Sequence, residues 1–463
     1  MRARHTILLL VAGFSVAAAQ AAPSGAIRTT PTTDMTATAT QAAAVPRGRL
    51  IRVPEDIATP RAAIDAAQPG DVILLAAGSY DGGLVVPPEK HDITIRGVDG
   101  ARVVFDGKGF SLTAIEINAD GVTLENLSAH DFDGTGFYWE KVAGFTGRYL
   151  RVWNVNLYGI YATQSQDGVV EHSLVSGAAD AGFYIGECQP CDTTVRNVEA
   201  RLSAIGYSGT NTGAGMQLLD STWDRNGTGI MPNSYEDQAL EPPESGSQIA
   251  GNIVRDSGTV PVPAHTPLAG FIGMGIGIAG GNDNMITGNS ISGSASYGIA
   301  LYPTLQPSGT VIAPKGNQVK ENTVAGSARA DLAVSTGVGT GNCFAGNTFT
   351  TSLPATIEEV QPCDGGMGSA QGDASVGREL AIPVPDALDR LAAAGARPDY
   401  RTMPTPEALP GSPDPLPAGL RSFRSETTGP IGLAGLAIVV TAGTIVMIIA
   451  RRRRRTRSAR EAQ

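Results

Sequence analysis

A glycine that returns every 23 or 24 residues constrains this chain more than any other feature. It stands at 136, 159, 182, 206 and 229. Each copy opens a short apolar or aromatic segment: Gly-Phe-Tyr-Trp, Gly-Ile-Tyr-Ala, Gly-Phe-Tyr-Ile, Gly-Tyr-Ser-Gly and Gly-Ile-Met-Pro. A fixed period in the 20s marks a solenoid, because one such repeat has no room to bury its own apolar face and must stack on its neighbours. In an extended segment the first and third residues after the glycine share a face. That face reads Phe137 and Trp139, Ile160 and Ala162, Phe183 and Ile185, Ile230 and Pro232, and is the expected core. No long helical pattern fits inside the repeat. The expected fold is therefore all-β, a single parallel β-helix solenoid of about ten coils, about 50 Å long at about 4.8 Å per coil. The five glycines are expected at equivalent corners.

A second strand in each coil has the same register, from Val152, Val170, Val195 and Leu218. Downstream its middle position becomes Asn in four coils, at Asn252, Asn289, Asn322 and Asn347. One buried Asn is costly, since its amide needs partners in an apolar core. Stacked one per coil, each amide can bond the next and the turn backbone, so a ladder is expected.

These repeats resemble the right-handed parallel β-helix superfamily, the pectate-lyase-like fold shared by polysaccharide lyases, epimerases, tailspike-type hydrolases and nitrous-oxide-reductase accessory proteins. The likeness runs from about Arg52 to Asn347. The opening, Ala63-Ile64-Asp65-Ala66-Ala67-Gln68-Pro69-Gly70-Asp71 followed by Val72 to Leu75 and Gly78-Ser79-Tyr80, is similar to the way such domains begin. The resemblance implies right-handed winding. It says little of activity, since one fold carries many functions.

The two ends add an address. Residues 1–21 read as a signal peptide, with Arg2 and Arg4, an apolar run from Ile7 to Val16, and small residues after it. Residues 22–45 are a Thr-, Ala- and Pro-rich stalk, and 46–364 the β-helix domain. Residues 365–430, rich in Pro, Gly and Ala, are expected to be linker. Ile431 to Ala450 is an uncharged apolar run long enough to span a bilayer as a helix, and the basic tail at 451–463 keeps its end cytoplasmic. The run resembles a Gram-positive sorting signal but lacks Leu-Pro-x-Thr-Gly, so a lasting membrane anchor with the body outside the cell is expected.

Of 34 Lys plus Arg, nine lie in the signal peptide and tail, and of 44 Asp plus Glu only Glu461 does. The exported part thus carries 25 basic and 43 acidic side chains, about −18 net. Nucleic acid is excluded as a partner by that charge. An acidic glycan would need Ca²⁺ as a bridge. In an exported chain the four cysteines read as local disulfides, Cys188 with Cys191 and Cys343 with Cys363, although three pairings are open. The second bridge would fold the chain back over the last coil as a cap. None of the five His stands at zinc spacing to a Cys pair and there is no Met/His cluster for copper, so no metal site is expected.

Chemistry has to be sought on the outward positions. Two residues after the repeat glycine stand Tyr138, Tyr161, Tyr184, Ser208 and Met231. Three tyrosines in register make an aromatic ladder, which suits sugar rings or, equally, stabilises the sheet by self-stacking. Around it lie Glu140, Thr163, Gln164, Gln166, Asp180, Glu187, Asn233 and Glu236, with Lys141, Arg148 and Arg151 as bases within reach in sequence. His172 reads as a turn or surface residue. A lyase needs a carboxylate cluster for Ca²⁺ and an Arg or Lys base, and a glycosidase two carboxylates at a set separation. Neither set is complete. Loops inserted at 234–247 and 303–315 leave one corner, and a third at 256–269 leaves the opposite one; the first two are expected to flank a binding face. The expected function is a membrane-anchored surface protein, monomeric, that binds polysaccharide along Tyr138, Glu140, Tyr161, Tyr184, Glu187 and Asn233. Lyase, epimerase or hydrolase activity stays open, and so does a non-catalytic structural or adhesive module.

Overall fold

In the computed structural model, which describes residues 48–100, 102–236, 238–264, 273–364, 372–393, 395–407 and 413–423, the repeat builds a parallel β-helix. Sheet B stacks eleven strands, from Leu84–Val86 through Thr135–Glu140, Ile160–Thr163, Ala181–Gly186, Ile205–Thr210 and Thr228–Asn233 to Ser352–Leu353. Sheet A collects 21 strands from the remaining sides of the coils. Every pairing in both is parallel; a small hairpin, Thr304–Leu305 with Val311–Ile312, is antiparallel. The expected signal peptide, stalk, membrane span at 431–450 and basic tail lie outside the described residues. Among the described residues no helix is long and apolar enough to cross a membrane.

The repeat glycines stack in one column, as the pairings of Ile160 with Phe137 and Phe183, and of Ile205 with Ala181 and Thr228, require. They sit within or at the start of strands rather than at corners. Their reason is close approach. A Cβ at Gly136 would stand 2.6 Å from the Gly159 carbonyl oxygen, and one at Gly159 2.3 Å from Val175 Cγ1. The corners proper, with φ near +50°, are taken by residues such as Asn126, Asn197 and Asp220. Inside the coil, Phe137, Trp139, Phe183 and Trp223 are fully buried, as the alternation predicts.

The asparagine ladder forms. Asn252 donates from Nδ2 to Asn289 Oδ1 at 3.0 Å, Asn289 to Asn322 at 2.9 Å, and Asn322 to Asn347 at 3.0 Å. Each of the four also donates to a carbonyl of the preceding coil, which leaves no amide unsatisfied. A second ladder, unforeseen, stands five residues earlier in each coil. Asn284 donates its backbone N–H to Asn317 Oδ1 at 3.0 Å, and Asn317 donates from Nδ2 to Asn342 Oδ1 at 2.8 Å. Its first member is Glu244, fully buried, whose carboxylate accepts from Asn284 Nδ2 at 2.8 Å and Ser247 Oγ at 2.7 Å. Burial raises that carboxyl to about 7.

Sheet A carries a charge ladder on its outside. Arg96, Glu125, Arg148, Glu171 and Arg196 are register partners in successive coils. Glu125, 2% exposed, lies 3.1 Å from Arg96 Nη1 and 2.7 Å from Arg148 Nε, and Arg196 lies 2.8 Å from Glu171. Alternating signs give each inner member two opposite neighbours, so stacking incurs no like-charge repulsion.

Both ends are closed. Helix α1 (Pro60–Ala66), capped by Thr59 and opened by proline, buries Ala63 and Ile64 at the first coil. Both disulfides are formed as expected, Cys188 with Cys191 midway along the stack and Cys343 with Cys363 at the far end. The longer one holds helix α2 (Ile357–Val360), with Ile357 fully buried, over the last coil. The stretch expected as linker is not a free tether where it is described. Helix α3 (Ala374–Leu380) buries Val376 and Leu380 against the solenoid, and the strand Arg421–Ser422 pairs in parallel with Arg49–Leu50. Apolar residues at helical spacing and an open sheet edge at the first coil both reward that return.

Candidate functional site

Sheet B turns alternate side chains outward, and register places them in columns. One column runs Glu116, Tyr138, Tyr161, Tyr184, Ser208 and Met231. Its neighbour includes Glu140, Thr163, Gly186, Thr210 and Asn233. The face is open only over its early coils. Glu116, Asn118, Tyr138, Glu140, Tyr158 and Tyr161 are half-buried, whereas Tyr184 is 5% exposed and Ser208, Met231 and Asn233 are at most 1%.

The cover explains which expected site residues drop out. Val376 and Leu380 of α3 and the small-residue rows around Ala300 and Ala333 form one apolar cluster on this face, which also takes in Tyr184 and Met231. The loop at 234–247 folds down, so that Ala239 N donates to Glu187 Oε2 at 3.1 Å and Asn211 Nδ2 to the Tyr235 carbonyl at 2.7 Å. Tyr184 is therefore core rather than platform, and Glu187 is buried under the loop. Asn233 spends its amide on Ser208 Oγ, the Met231 carbonyl and Thr210 Oγ1. The two corner loops, expected to flank a binding face, meet each other instead. Gln306 Nε2 donates to the Ser234 carbonyl at 3.1 Å and Ser308 Oγ to Glu236 at 2.7 Å, so the loops form one wall. Both insertions leave the same corner of stacked coils, which forces them together.

What remains is a compact patch of Tyr138, Glu140 and Tyr161, joined by Tyr158 and Glu116. Tyr158 carried a signal in the sequence, since it immediately precedes a repeat glycine, but the alternation that marks outward positions begins only after that glycine. The rings of Tyr138 and Tyr161 stack at 4.7 Å, those of Tyr158 and Tyr161 at 4.5 Å, and Tyr184 meets Tyr161 edge-on at 4.9 Å. The faces cover one another. The patch thus offers ring edges and hydroxyls, with a free face only at the end of the stack. Burial raises Tyr161 to about 12 and pushes Tyr158 and Tyr138 well up, the last also through its bond to Glu140. All three stay neutral at physiological pH. The Lys141 ammonium, 2.6 Å from Glu140, holds that carboxyl below its ordinary value.

The remaining candidates lie elsewhere or are occupied. Arg148 belongs to the charge ladder, and Arg151 lies on sheet A over the Trp153 ring at 4.9 Å. Asp180 and Thr163 are buried, Gln166 is exposed, and Gln164 and His172 take left-handed turn positions. His172 stacks on Tyr149 at 5.1 Å.

Asp106, His130 and Asp131, which the sequence did not single out, each bring a ligand atom within 4.8 Å of the others. Asp106 and His130 are register partners, His130 Nδ1 lies 2.8 Å from Asp131 Oδ2, and the His130 ring stacks on Trp153 at 4.6 Å. The signal was the coil period: Asp106 and His130 are 24 residues apart, one turn of the solenoid. Two carboxylates and an imidazole suit a divalent cation of intermediate hardness.

Coils that stack in parallel and close their cores with asparagine ladders place the molecule in the right-handed parallel β-helix class. Within that class the chain belongs to the family of the periplasmic copper-binding protein (NosD), whose family pattern matches residues 104–361. Among solved structures it is similar to the A-module of the mannuronan C-5 epimerase AlgE4 of Azotobacter vinelandii, at 16% identity over 66% of this chain and 92% of that one, with a TM-score of 0.46. A rhamnogalacturonan lyase shares 12% identity over 66% of this chain and 87% of its own, with a TM-score of 0.44. The pectate lyase Pel9A shares 14% over 79% and 89%, with a TM-score of 0.37. No curated protein matches the chain.

Proposed function

We propose that the chain is an exported, membrane-anchored surface protein that binds polysaccharide on the open patch of sheet B around Tyr138, Glu140, Tyr158 and Tyr161. One observation carries the reading: the same outer face is covered over its later coils and left open where it carries tyrosines and carboxylates. Neutral tyrosine hydroxyls and an ionised Glu140 are hydrogen-bonding groups for sugar hydroxyls, and a partly buried ring adds apolar area at low entropic cost. Binding without turnover is the form the residues favour. A glycosidase needs one carboxyl held protonated, yet Glu140 is held below its ordinary value, and the raised carboxyl of Glu244 is sealed in the ladder. A lyase needs a free base, yet Lys141 is paired with Glu140 and Arg148 with Glu125. The full chain in detergent, applied to a panel of neutral, basic and acidic glycans with and without Ca²⁺, tests the reading. Retention of at least one glycan, with no new reducing ends or unsaturated sugars, is the expected result.

A second reading rests on Asp106, His130 and Asp131. The family description names copper, and these donors fit Cu(II) better than Cu(I), which prefers thiolate and thioether sulfur. All four cysteines are tied in disulfides. His130 would supply the imidazole and the two aspartates the charge; a bound ion would supply Lewis acidity there.

A further inference from the structure

The chain that leaves the far end of the solenoid comes back to its beginning. Asp373 bridges to Ser335, and Glu379 accepts from Tyr297 Oη at 2.7 Å and pairs with Arg329 at 3.0 Å, all near the last coils. Further on, Tyr400 Oη donates to Asp133 at 3.3 Å and Asn154 Nδ2 donates to the Arg401 carbonyl at 3.1 Å, midway along the stack. Met403 lies over Gly177. Finally Arg421 N donates to the Gly48 carbonyl and Phe423 N to that of Leu50, and the Arg49 guanidinium sits 5.2 Å over the Phe423 ring. The last described residue is on the first coil.

Residues 424–430 separate Phe423 from the apolar run that starts at Ile431. Seven residues reach at most about 25 Å when fully extended. Eleven stacked strands at about 4.8 Å put the far cap about 50 Å away. Charge-free chain beginning at Ile431 is therefore tethered to the first coil and not to the cap. Exposed apolar side chains gather at the same end. Of the seven large ones among the described residues, Val85, Val98, Phe110 and Leu112 lie in the first coils, and Phe110 and Leu112 are each 70% exposed on one turn.

We propose that the solenoid stands on the lipid bilayer by its first coils, with Phe110 and Leu112 at the lipid interface and the Cys343–Cys363 cap outermost. The proposal rests on the membrane-anchor part of the function above. It adds an orientation and a lipid-contacting surface, and it places the tyrosine patch in the membrane-proximal half of the body. Interfacial aromatic and leucine side chains on a polar surface are the kind that seat at the headgroup boundary.

The test uses the full chain in phosphatidylcholine vesicles, with and without brominated acyl chains that quench tryptophan on contact. Phe110→Trp and, separately, Val311→Trp place a reporter at each end; Val311 is 57% exposed on the hairpin near the far coils. The native Trp139, Trp153 and Trp223 are buried and give the same background in both. Brominated lipid should remove most of the added signal of the Phe110→Trp protein and leave that of Val311→Trp unchanged. The reverse pattern, or no quenching at either position in chain that floats with the vesicles, overturns the orientation and leaves the anchor standing. Full chain that does not float removes the anchor, and the orientation with it.

Discussion

Glu358 ends the asparagine ladder by standing in for the asparagine of a coil that does not exist. Its Oε1 accepts from both the backbone N–H and Nδ2 of Asn347, each at 2.9 Å, as each asparagine Oδ1 accepts from the asparagine of the coil before it. A terminal rung would otherwise expose an unmet donor pair under the cap. Glu358→Ala is expected to lower stability by about 1–3 kcal/mol in urea unfolding, and Glu358→Gln, which keeps an acceptor, by clearly less. Equal losses in the two variants would show that the carboxylate does not close the ladder.

Glu244 begins the second ladder and sets a pH dependence. Its folded value of about 7 lies above the ordinary 4.5, so between those values the folded chain holds a proton that the unfolded chain has lost. Its contribution is fully present below about pH 4.5 and is lost as pH rises through 7, about 3 kcal/mol in all. Unfolding midpoints measured across that range should fall with pH on this account, and Glu244→Gln should flatten the profile. An unchanged profile in the variant would place the dependence in another group.

The glycine column makes a steric prediction. At Gly159 an added methyl meets Val175 Cγ1 at 2.3 Å and the Gly182 carbonyl at 2.6 Å. Gly159→Ala should destabilise by about 1–3 kcal/mol, because the next coil cannot yield without moving its own neighbour. A neutral result in thermal unfolding would mean that the coils have slack the packing does not show.

His130 is the decisive donor of the proposed Cu(II) site, since the two aspartates alone are weak ligands for it. Calorimetric titration with Cu(II) alone should show one site, and His130→Ala should weaken it by about tenfold or more. Undiminished affinity in the variant would remove the copper reading.

How far the sequence could be read divides along physical lines. The coil, its core residues and the ladder at Asn252, Asn289, Asn322 and Asn347 were legible because each depends on near-neighbour periodicity, and both disulfides because they are local. The second ladder was equally periodic. Its members at 284, 317 and 342 keep the spacing of the first, but it has only three asparagines and begins at a glutamate, Glu244, so its pattern is shorter and less uniform. Tyr184 could not be placed, because it is buried in an apolar cluster that also draws in Met231 and Tyr302 from later coils. Arg148 is engaged for a related reason: its partner Glu125 is its register neighbour one coil earlier, 23 residues away in sequence. Periodicity tells which side chains point outward. It does not tell what later chain comes to lie on them.

The central claim is that glycan binds the open patch, and Tyr138 tests it best. Tyr161 is wedged among three rings and its truncation would disturb the fold, whereas Tyr138 stands at the end of the stack. The measurement is the dissociation constant of the full chain for whichever glycan it retains, in the native protein and in Tyr138→Ala, with thermal unfolding recorded alongside. The account predicts a loss of about 1 kcal/mol or more, a severalfold weaker constant, with little change in unfolding. Identical constants, or a native protein that retains no glycan at all, would contradict it.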